Sequence, residues 1–130
     1  RSLGRFIAQL HHRGVWAPDL NAGNFLVRQH DDGTFRILLV DHDDVRFVRT
    51  ISRKQRLINL SQVAAFLLPL SPDGPVDVCE GYAPAQGGGT ADPALTAAVR
   101  DRSRAVLTRW ENDLAGRFDR IGEARKGAAQ

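Results

Sequence analysis

Apolar residues near the start of the chain recur with the spacing of an amphipathic helix. They stand at i, i+3, i+4 and i+7, a spacing that places them on one face of an α-helix: Leu3, Phe6, Ile7 and Leu10. Ser2 is a residue type that often caps helix N-termini, and Gly14 stands where such a helix would stop. We therefore predict a first helix that begins near Ser2 and ends before Gly14.

Two short apolar runs, residues 25–27 and 35–40, are typical of β-strands. Asp32-Gly33 lies between them and is a strong signal for a hairpin turn. The two runs therefore predict an antiparallel pair. The sequence "DHDD", residues 41–44, follows the second strand directly.

The second half of the chain predicts two more helices. One begins at about Ser52 and ends at Pro69 and Pro72, and four residues form its apolar face: Leu57, Leu60, Ala64 and Leu67. The other spans 93–122 and buries one stripe: Val99, Val106, Trp110, Leu114, Phe118 and Ile121. Between them, residues 71–92 are rich in Gly and Pro and predict a long surface loop. We expect the tail, 123–130, to fray.

Composition is that of one soluble globular domain covering 1–130. Apolar residues make up 42% and charged residues 25% of the 130 residues, both ordinary values. The net charge of +3 is too small by itself to favour nucleic acid, and we expect no such partner. Cys79 is the only cysteine, which excludes an intrachain disulfide and a cysteine-based metal cluster, and we expect it to be inert.

Two further classes of protein are disfavoured. The longest apolar run, residues 63–68, is far shorter than the ~20 residues of a membrane-spanning helix. His11, His12 and His30 have none of the spacings typical of zinc sites. We expect His11 to be packed at the end of the first helix and His12 to be solvated.

Three polar side chains are expected to converge at one end of the predicted hairpin. Asp19 and Asn24 lie on the loop that leads into the first strand, and Asp41 follows the second strand. Antiparallel pairing would bring these positions to the same edge. Carboxylate and amide oxygens suit Mg²⁺, which leaves room for phosphate oxygens. Asp19 could then orient, or take a proton from, an attacking hydroxyl, as phosphoryl transfer requires. Asn21 is expected to shape the loop.

Four motifs in order carry a resemblance to a known family. "DLNAGN" followed by an apolar strand, then "VDHDD", resembles the catalytic and metal-binding loops of the protein-kinase-like superfamily. Leu10-His11 with Gly14-Val15 precedes them, and Arg56 with Asn59-Leu60 follows. Over residues 3–68 the chain looks most like the lipopolysaccharide kinases, which include 3-deoxy-manno-octulosonic acid (Kdo) kinase.

The resemblance implies a fold and a reaction. The fold is α+β and mainly helical, a protein-kinase-like carboxy-terminal lobe with a small catalytic β-hairpin. The reaction is ATP-dependent, Mg²⁺-assisted phosphorylation of a sugar hydroxyl of lipopolysaccharide core, Kdo or heptose, in bacteria. Asp19 would be the catalytic base, and Asn24 and Asp41 would hold magnesium and, through it, the nucleotide. We expect a cytoplasmic protein that can contact the inner membrane peripherally.

Two departures from the family pattern bear on activity. Ala17 replaces the histidine that supports the backbone of the catalytic loop in the family. No glycine-rich phosphate loop and no strand lysine precede the first helix, so the amino-terminal lobe is absent from these residues. The chain also contains no methionine. We expect it to be part of a longer kinase and to be inactive by itself.

Two alternatives stay open beside this hypothesis. An aminoglycoside or other small-molecule phosphotransferase has similar loops, although the Arg-x-x-Asn-Leu helix argues against it. A non-catalytic kinase-like binding module is favoured by Ala17 and disfavoured by the three retained polar residues. Arg46, Arg49 and Arg53 belong to a basic run without acids. It is either a solvated helix start or a surface that contacts an anionic sugar-lipid or membrane.

Overall fold

A computed structural model describes the backbone of residues 1–40 and 43–128, and side chains as far as residue 116. Within these residues the predicted α+β, mainly helical class is confirmed. Four α-helices are present: α1 (Ser2–His12), α2 (Arg53–Leu67), α3 (Gly74–Ala85) and α4 (Pro93–Ala128). Four short strands form two antiparallel pairs: β1 (Val15–Trp16) with β4 (Arg46–Phe47), and β2 (Phe25–Gln29) with β3 (Phe35–Leu39).

Helix α1 follows the apolar spacing of the sequence. Ile7 and Ala8 are fully buried, and Leu3, Phe6 and Leu10 pack against the same core. The predicted Ser2 cap is wrong, because Ser2 is already helical, Arg1 occupies the N-cap position and no side chain caps the helix. The helix ends as predicted before Gly14, whose φ of 71° is a conformation that favours glycine.

The predicted hairpin of β2 and β3 is confirmed. Phe25 pairs with Leu39 at its base, and Gln29 pairs with Phe35 next to the turn. The Asp32 carboxylate accepts hydrogen bonds from the backbone N–H of Thr34 at 2.9 Å and from its hydroxyl at 2.6 Å. This local bonding fixes the turn, as short polar side chains commonly do.

The pairing of β1 with β4 is too short to be visible in the sequence. Val15 lies opposite Phe47, and Trp16 lies opposite Arg46. The backbone N–H of Val48 also donates to the carbonyl of Gly14 at 2.8 Å. This pairing ties the chain just before residue 17 to the chain just after residue 45, and so brings Asp44 near the loop that follows β1.

Helix α2 supplies the centre of the core. Ser52 and Gln55 form a capping box at its start, with each side chain bonding the other residue's backbone N–H. Leu60, Val63 and Ala64 are fully buried. The predicted start near Ser52 and end before Pro69 are confirmed.

The predicted loop over 71–92 is wrong, because residues 74–85 form helix α3. Pro75 lies in the first turn, where a missing N–H costs no helical hydrogen bond. Val78, Cys79 and Tyr82 provide a buried face. Burial also raises the pKa of the Cys79 thiol, with a hydrogen bond to Thr96 opposing the shift, so the thiol stays protonated near neutral pH.

Two glycines let α1 and α3 touch backbone to backbone. A Cβ added to Gly4 would overlap the carbonyl of Val78, and one added to Gly81 would overlap the carbonyl of Arg1. Any larger residue at either position would therefore force the helices apart. This glycine requirement explains part of the composition that resembled a loop.

Helix α4 runs past its predicted end at 122 and covers 123–128 of the tail that was expected to fray. Val99 and Val106 are buried as predicted, but Trp110 is half-buried and Leu114 is exposed. A 36-residue helix outruns its partners α2 and α3, of 15 and 12 residues, so its later turns have less to pack against. Phe118 and Ile121 lie beyond the described side chains. No helix in the described part of the chain is long and apolar enough to cross a membrane.

Candidate active site

The loop from β1 to β2, residues 17–24, is shaped by its own side chains. It ends in a single 3-10 turn, Ala22–Asn24, and the Asn21 side chain caps this turn by accepting a hydrogen bond from the N–H of Gly23 at 2.9 Å. Asn21 therefore shapes the loop, as predicted. The backbone N–H of Val40 donates to the Asn24 carbonyl at 2.8 Å and fixes the loop to the end of β3.

Asp19 and Asn24 are held next to each other. The Asn24 amide nitrogen donates to the backbone carbonyl of Asp19 at 3.0 Å. This bond uses the nitrogen of Asn24 and leaves its side-chain oxygen available as a ligand. The Asp19 carboxylate is exposed and accepts one long bond, 3.4 Å, from the Asn21 amide. It is therefore accessible to a substrate.

Both residues line one small cleft at the hairpin base. The cleft has a volume of about 70 Å³, and these residues line it: Ala17, Pro18, Asp19, Asn21, Asn24, Asp44 and Val45. The structure thus brings Asp19 and Asn24 together. Asp41 lies outside the described residues, so its convergence on this cleft stays a prediction. Asp44 is an additional carboxylate here, and in the sequence nothing but its place within "DHDD" pointed to it.

The donor atoms of the cleft fit a hard cation. Two carboxylates, Asp19 and Asp44, and the amide oxygen of Asn24 are the ligand types that Mg²⁺ prefers. Among the described residues, no group of three or more His, Cys, Asp or Glu side chains could hold a metal ion. A magnesium ion at this cleft would therefore need water and substrate oxygens to complete its coordination.

Side chains of helix α2 form hydrogen bonds with the backbone of the 17–24 loop. The Asn59 amide donates to the carbonyl of Ala17 at 2.7 Å, and the Gln62 amide donates to the carbonyl of Pro18 at 2.9 Å. The N–H of Leu20 donates to the Gln62 side-chain oxygen at 3.3 Å. Backbone groups on both sides of Asp19 are thus fixed without the histidine that Ala17 replaces.

A histidine and a tyrosine lie behind Asn59. His11 is buried, as predicted, and His12 is exposed. The His11 imidazole lies 3.0 Å from the Asn59 side-chain oxygen through Nε2 and 2.9 Å from the Tyr82 hydroxyl through Nδ1. Burial lowers the pKa of His11, and the positive charge of Arg56 lowers it further, while the bond to Asn59 opposes both.

The sequence did not lead us to predict that Asn59 and Gln62 hold the backbone of the 17–24 loop. A usable signal was present, because Asn59 belongs to the Arg-x-x-Asn-Leu motif and a second amide, Gln62, follows three residues later on the same helix face. Buried amides need hydrogen-bond partners, and a neighbouring loop with free carbonyls can supply them.

The three arginines proposed as contacts for an anionic substrate do not line the cleft within the described residues. The Arg46 guanidinium lies over the Trp16 ring, 5.9 Å from its centroid. Arg49 is exposed after β4, and Arg53 is exposed at the start of α2. Their contact with a substrate stays a prediction.

A sequence model of the lipopolysaccharide kinase (Kdo/WaaP) family matches residues 1–81, more than half of the 130 residues. The match covers α1, both sheets, the 17–24 loop, α2 and most of α3. Comparisons with curated proteins and with solved structures gave no match. The resemblance carried by the sequence motifs is confirmed, and a kinase family implies ATP as the general phosphate donor. The chain belongs to the lipopolysaccharide kinase (Kdo/WaaP) family.

Proposed function

We propose that this chain carries the catalytic loop of an ATP-dependent phosphotransferase whose acceptor is a sugar hydroxyl of lipopolysaccharide core, Kdo or heptose. Membership of a kinase family supports the reaction type. The observation that carries the proposal is the cleft that joins the exposed Asp19 carboxylate to Asn24. Phosphoryl transfer requires a positioned proton acceptor and a metal ligand, and candidates for both are present on this one loop.

Each residue of the cleft has a proposed part in the reaction. Asp19 accepts the proton of the acceptor hydroxyl as that oxygen attacks the terminal phosphorus of ATP, and the bond from this phosphorus to the bridging oxygen breaks to release ADP. Asn24 and Asp41 would hold magnesium, with Asp44 as the second candidate carboxylate. When bound, the ion neutralises charge on the transferring phosphate. The bonds from Asn59 and Gln62 to the loop keep Asp19 in place during this step.

The surroundings of the cleft support two further parts of the proposal. The exposed Arg46, Arg49 and Arg53 carry positive charge that would favour a phosphorylated sugar-lipid and peripheral contact of a cytoplasmic enzyme with an anionic membrane. A groove of about 1040 Å³ between α1 and the hairpin, lined by both apolar residues and arginines, would receive the nucleotide-binding lobe that the family resemblance implies.

Two rival functions make different predictions. An aminoglycoside-type enzyme would phosphorylate a soluble amino sugar and ignore lipopolysaccharide core. A non-catalytic module would transfer no phosphate to any acceptor. Replacement of the family histidine by Ala17 favoured a non-catalytic module when the sequence was considered alone. The structure weakens that argument, because Asn59 and Gln62 bond the loop carbonyls directly.

The test is an acceptor panel assayed with the full-length protein that carries this chain. Radiolabelled ATP is supplied with lipid-linked Kdo, heptose-containing core oligosaccharide, or an aminoglycoside, with and without magnesium. We expect label on the core sugars only, and only with magnesium. Label on the aminoglycoside alone would support the first rival, and no transfer to any acceptor would support the second.

A further inference from the structure

Only one assignment of donors and acceptors is consistent with the hydrogen bonds that link Ala17, Asn59 and His11. The carbonyl of Ala17 can only accept, so the Asn59 amide nitrogen, 2.7 Å away, must face it. The same nitrogen also bonds the side-chain oxygen of Gln62 at 3.1 Å. Both N–H groups of Asn59 are then used, and its oxygen is left facing His11.

The protonation of His11 follows from this direction. The Asn59 oxygen can only accept, so His11 Nε2, 3.0 Å away, must carry a proton. In the neutral ring Nδ1 then accepts from the Tyr82 hydroxyl at 2.9 Å. Burial raises the pKa of Tyr82 to about 12, so the hydroxyl keeps its proton.

We propose that His11, as the neutral imidazole protonated at Nε2, is a positioning residue of the phosphotransferase that orients Asn59 and thereby the loop bearing Asp19. The proposal rests on the proposed function. His11 touches no part of the cleft and acts through Asn59 and Gln62. The titratable or charged groups that face it are Tyr82 from α3 and Arg56 from α2.

Loss of the His11 donor would act on the loop through one specific rearrangement. The Asn59 oxygen would be buried without a hydrogen-bond donor, a state that costs free energy. Rotation of the amide would relieve that cost but would turn the oxygen toward the carbonyl of Ala17, where two acceptors repel. Either outcome loosens the backbone two residues before Asp19.

Activity assays on the full-length protein test the positioning effect. Leucine at this site removes the donor, whereas the side-chain amide of glutamine can still donate to Asn59. We expect His11→Leu to lower kcat about 100-fold, the scale of a small misplacement of catalytic groups. The KM for ATP should stay within about threefold, because His11 touches no nucleotide. His11→Gln should recover most of kcat. The matched control is the exposed neighbour, His12→Leu, which should behave as the unaltered protein.

A second measurement does not depend on activity or on the folding of a variant. Nitrogen-15 NMR of the unaltered protein reports which ring nitrogen of His11 carries the proton, and we expect Nε2 alone near neutral pH. A proton on Nδ1, or a kcat for a folded His11→Leu equal to that of His12→Leu, would overturn the proposal. If Asp19→Asn also left kcat unchanged, the proposed function itself would fail, while the NMR result would still decide the state of His11.

Discussion

Asp41 and Asp44 are the two candidates for the metal-binding carboxylate at the hairpin base. Asp41 matches the family motif by position, and Asp44 lines the cleft with Asp19 and Asn24. Both residues follow β3 in the sequence, and the placement of Asp41 at the cleft stays a prediction. Substituting each aspartate separately shows whether the ligand is Asp41, the residue at the motif position, or Asp44, the residue that lines the cleft.

We expect Asp41→Asn to abolish magnesium-dependent phosphoryl transfer in the full-length protein and to leave the melting temperature nearly unchanged. A metal ligand is needed for turnover, whereas we do not expect the fold to depend on it. Asp44→Asn should weaken activity less. Rates measured across a magnesium titration check both variants. If the Asp44 variant is the inactive one, Asp44 is the ligand.

The buried His11 makes stability depend on pH. Its pKa is lowered in the folded protein, whereas in the unfolded chain it titrates near 6.5. As the pH falls below 6.5, the unfolded chain takes up a proton that the folded protein still refuses, so the free energy of unfolding decreases. Above that pH the contribution is fully present.

We expect the free energy of unfolding to fall by up to about 1.4 kcal/mol per pH unit just below the normal histidine pKa. Urea titrations at a series of pH values measure this slope. His11→Gln should flatten it, since glutamine does not titrate. His12→Gln should leave it as it is, and an equal flattening by both changes would assign the slope to something other than His11.

Between elements, the closest contact is the crossing of α1 and α3. Gly81 lies against the backbone carbonyl of Arg1, and a methyl group there has no space. We expect Gly81→Ala to destabilise the protein by about 1–3 kcal/mol through overpacking. Gly89 has nothing within 4 Å of an added Cβ, so Gly89→Ala should be neutral or slightly stabilising. Thermal unfolding of both variants checks this, and equal melting temperatures would mean that the helices are less tightly packed.

The elements that were predicted correctly have their signals within or next to their own residues. The elements that were missed depend on contacts with other parts of the chain. The β2–β3 hairpin and helices α1 and α2 were predictable because the apolar spacing, the residues that end the helices and the Asp32-Gly33 turn all lie within or next to each segment. Helix α3 was missed because Gly81 serves close packing against the start of α1 and Gly74 lies against Leu67 of α2, tertiary requirements that outweigh local propensity. Pairing of β1 with β4 was missed because two residues a side leave no pattern.

The candidate site was predictable only in part for the same reason. Asp19 and Asn24 are five positions apart on one loop, so motif spacing alone placed them together. Asn59 and Gln62 reach the loop from 42 and 44 residues away along the chain. Their partners are backbone carbonyls, which carry no sequence signature.

At the scale of the whole molecule, five of the seven exposed large apolar side chains among the described residues belong to β2, β3 and β4. The groove between α1 and the hairpin is lined by apolar residues interspersed with Arg5, Arg13 and Arg36, and Phe47 at its edge is 83% exposed. Val15, Trp16 and Phe25 are also only half-buried. Exposed apolar side chains that cluster in this way are typical of an interaction site.

We expect the 130-residue chain to self-associate through this groove when nothing else covers it. Phe47→Lys should raise the dissociation constant at least about tenfold, equivalent to about 1.4 kcal/mol. The control Leu114→Lys changes an apolar residue that is 56% exposed on α4, away from the groove. Sedimentation velocity over a concentration series measures both. Equal effects would mean that association is not centred on the groove.

The central claim is that Asp19 is the base of a phosphotransferase, and one pair of variants tests it most directly. Asp19→Asn keeps the size of the side chain and removes its ability to accept the proton. Asp31→Asn makes the same change at an exposed turn residue of the hairpin. With ATP, magnesium and a Kdo- or heptose-bearing acceptor, we predict that kcat of the full-length protein falls about 10²–10⁴-fold for Asp19→Asn and is unchanged for Asp31→Asn. A folded Asp19→Asn protein with undiminished kcat would contradict the account.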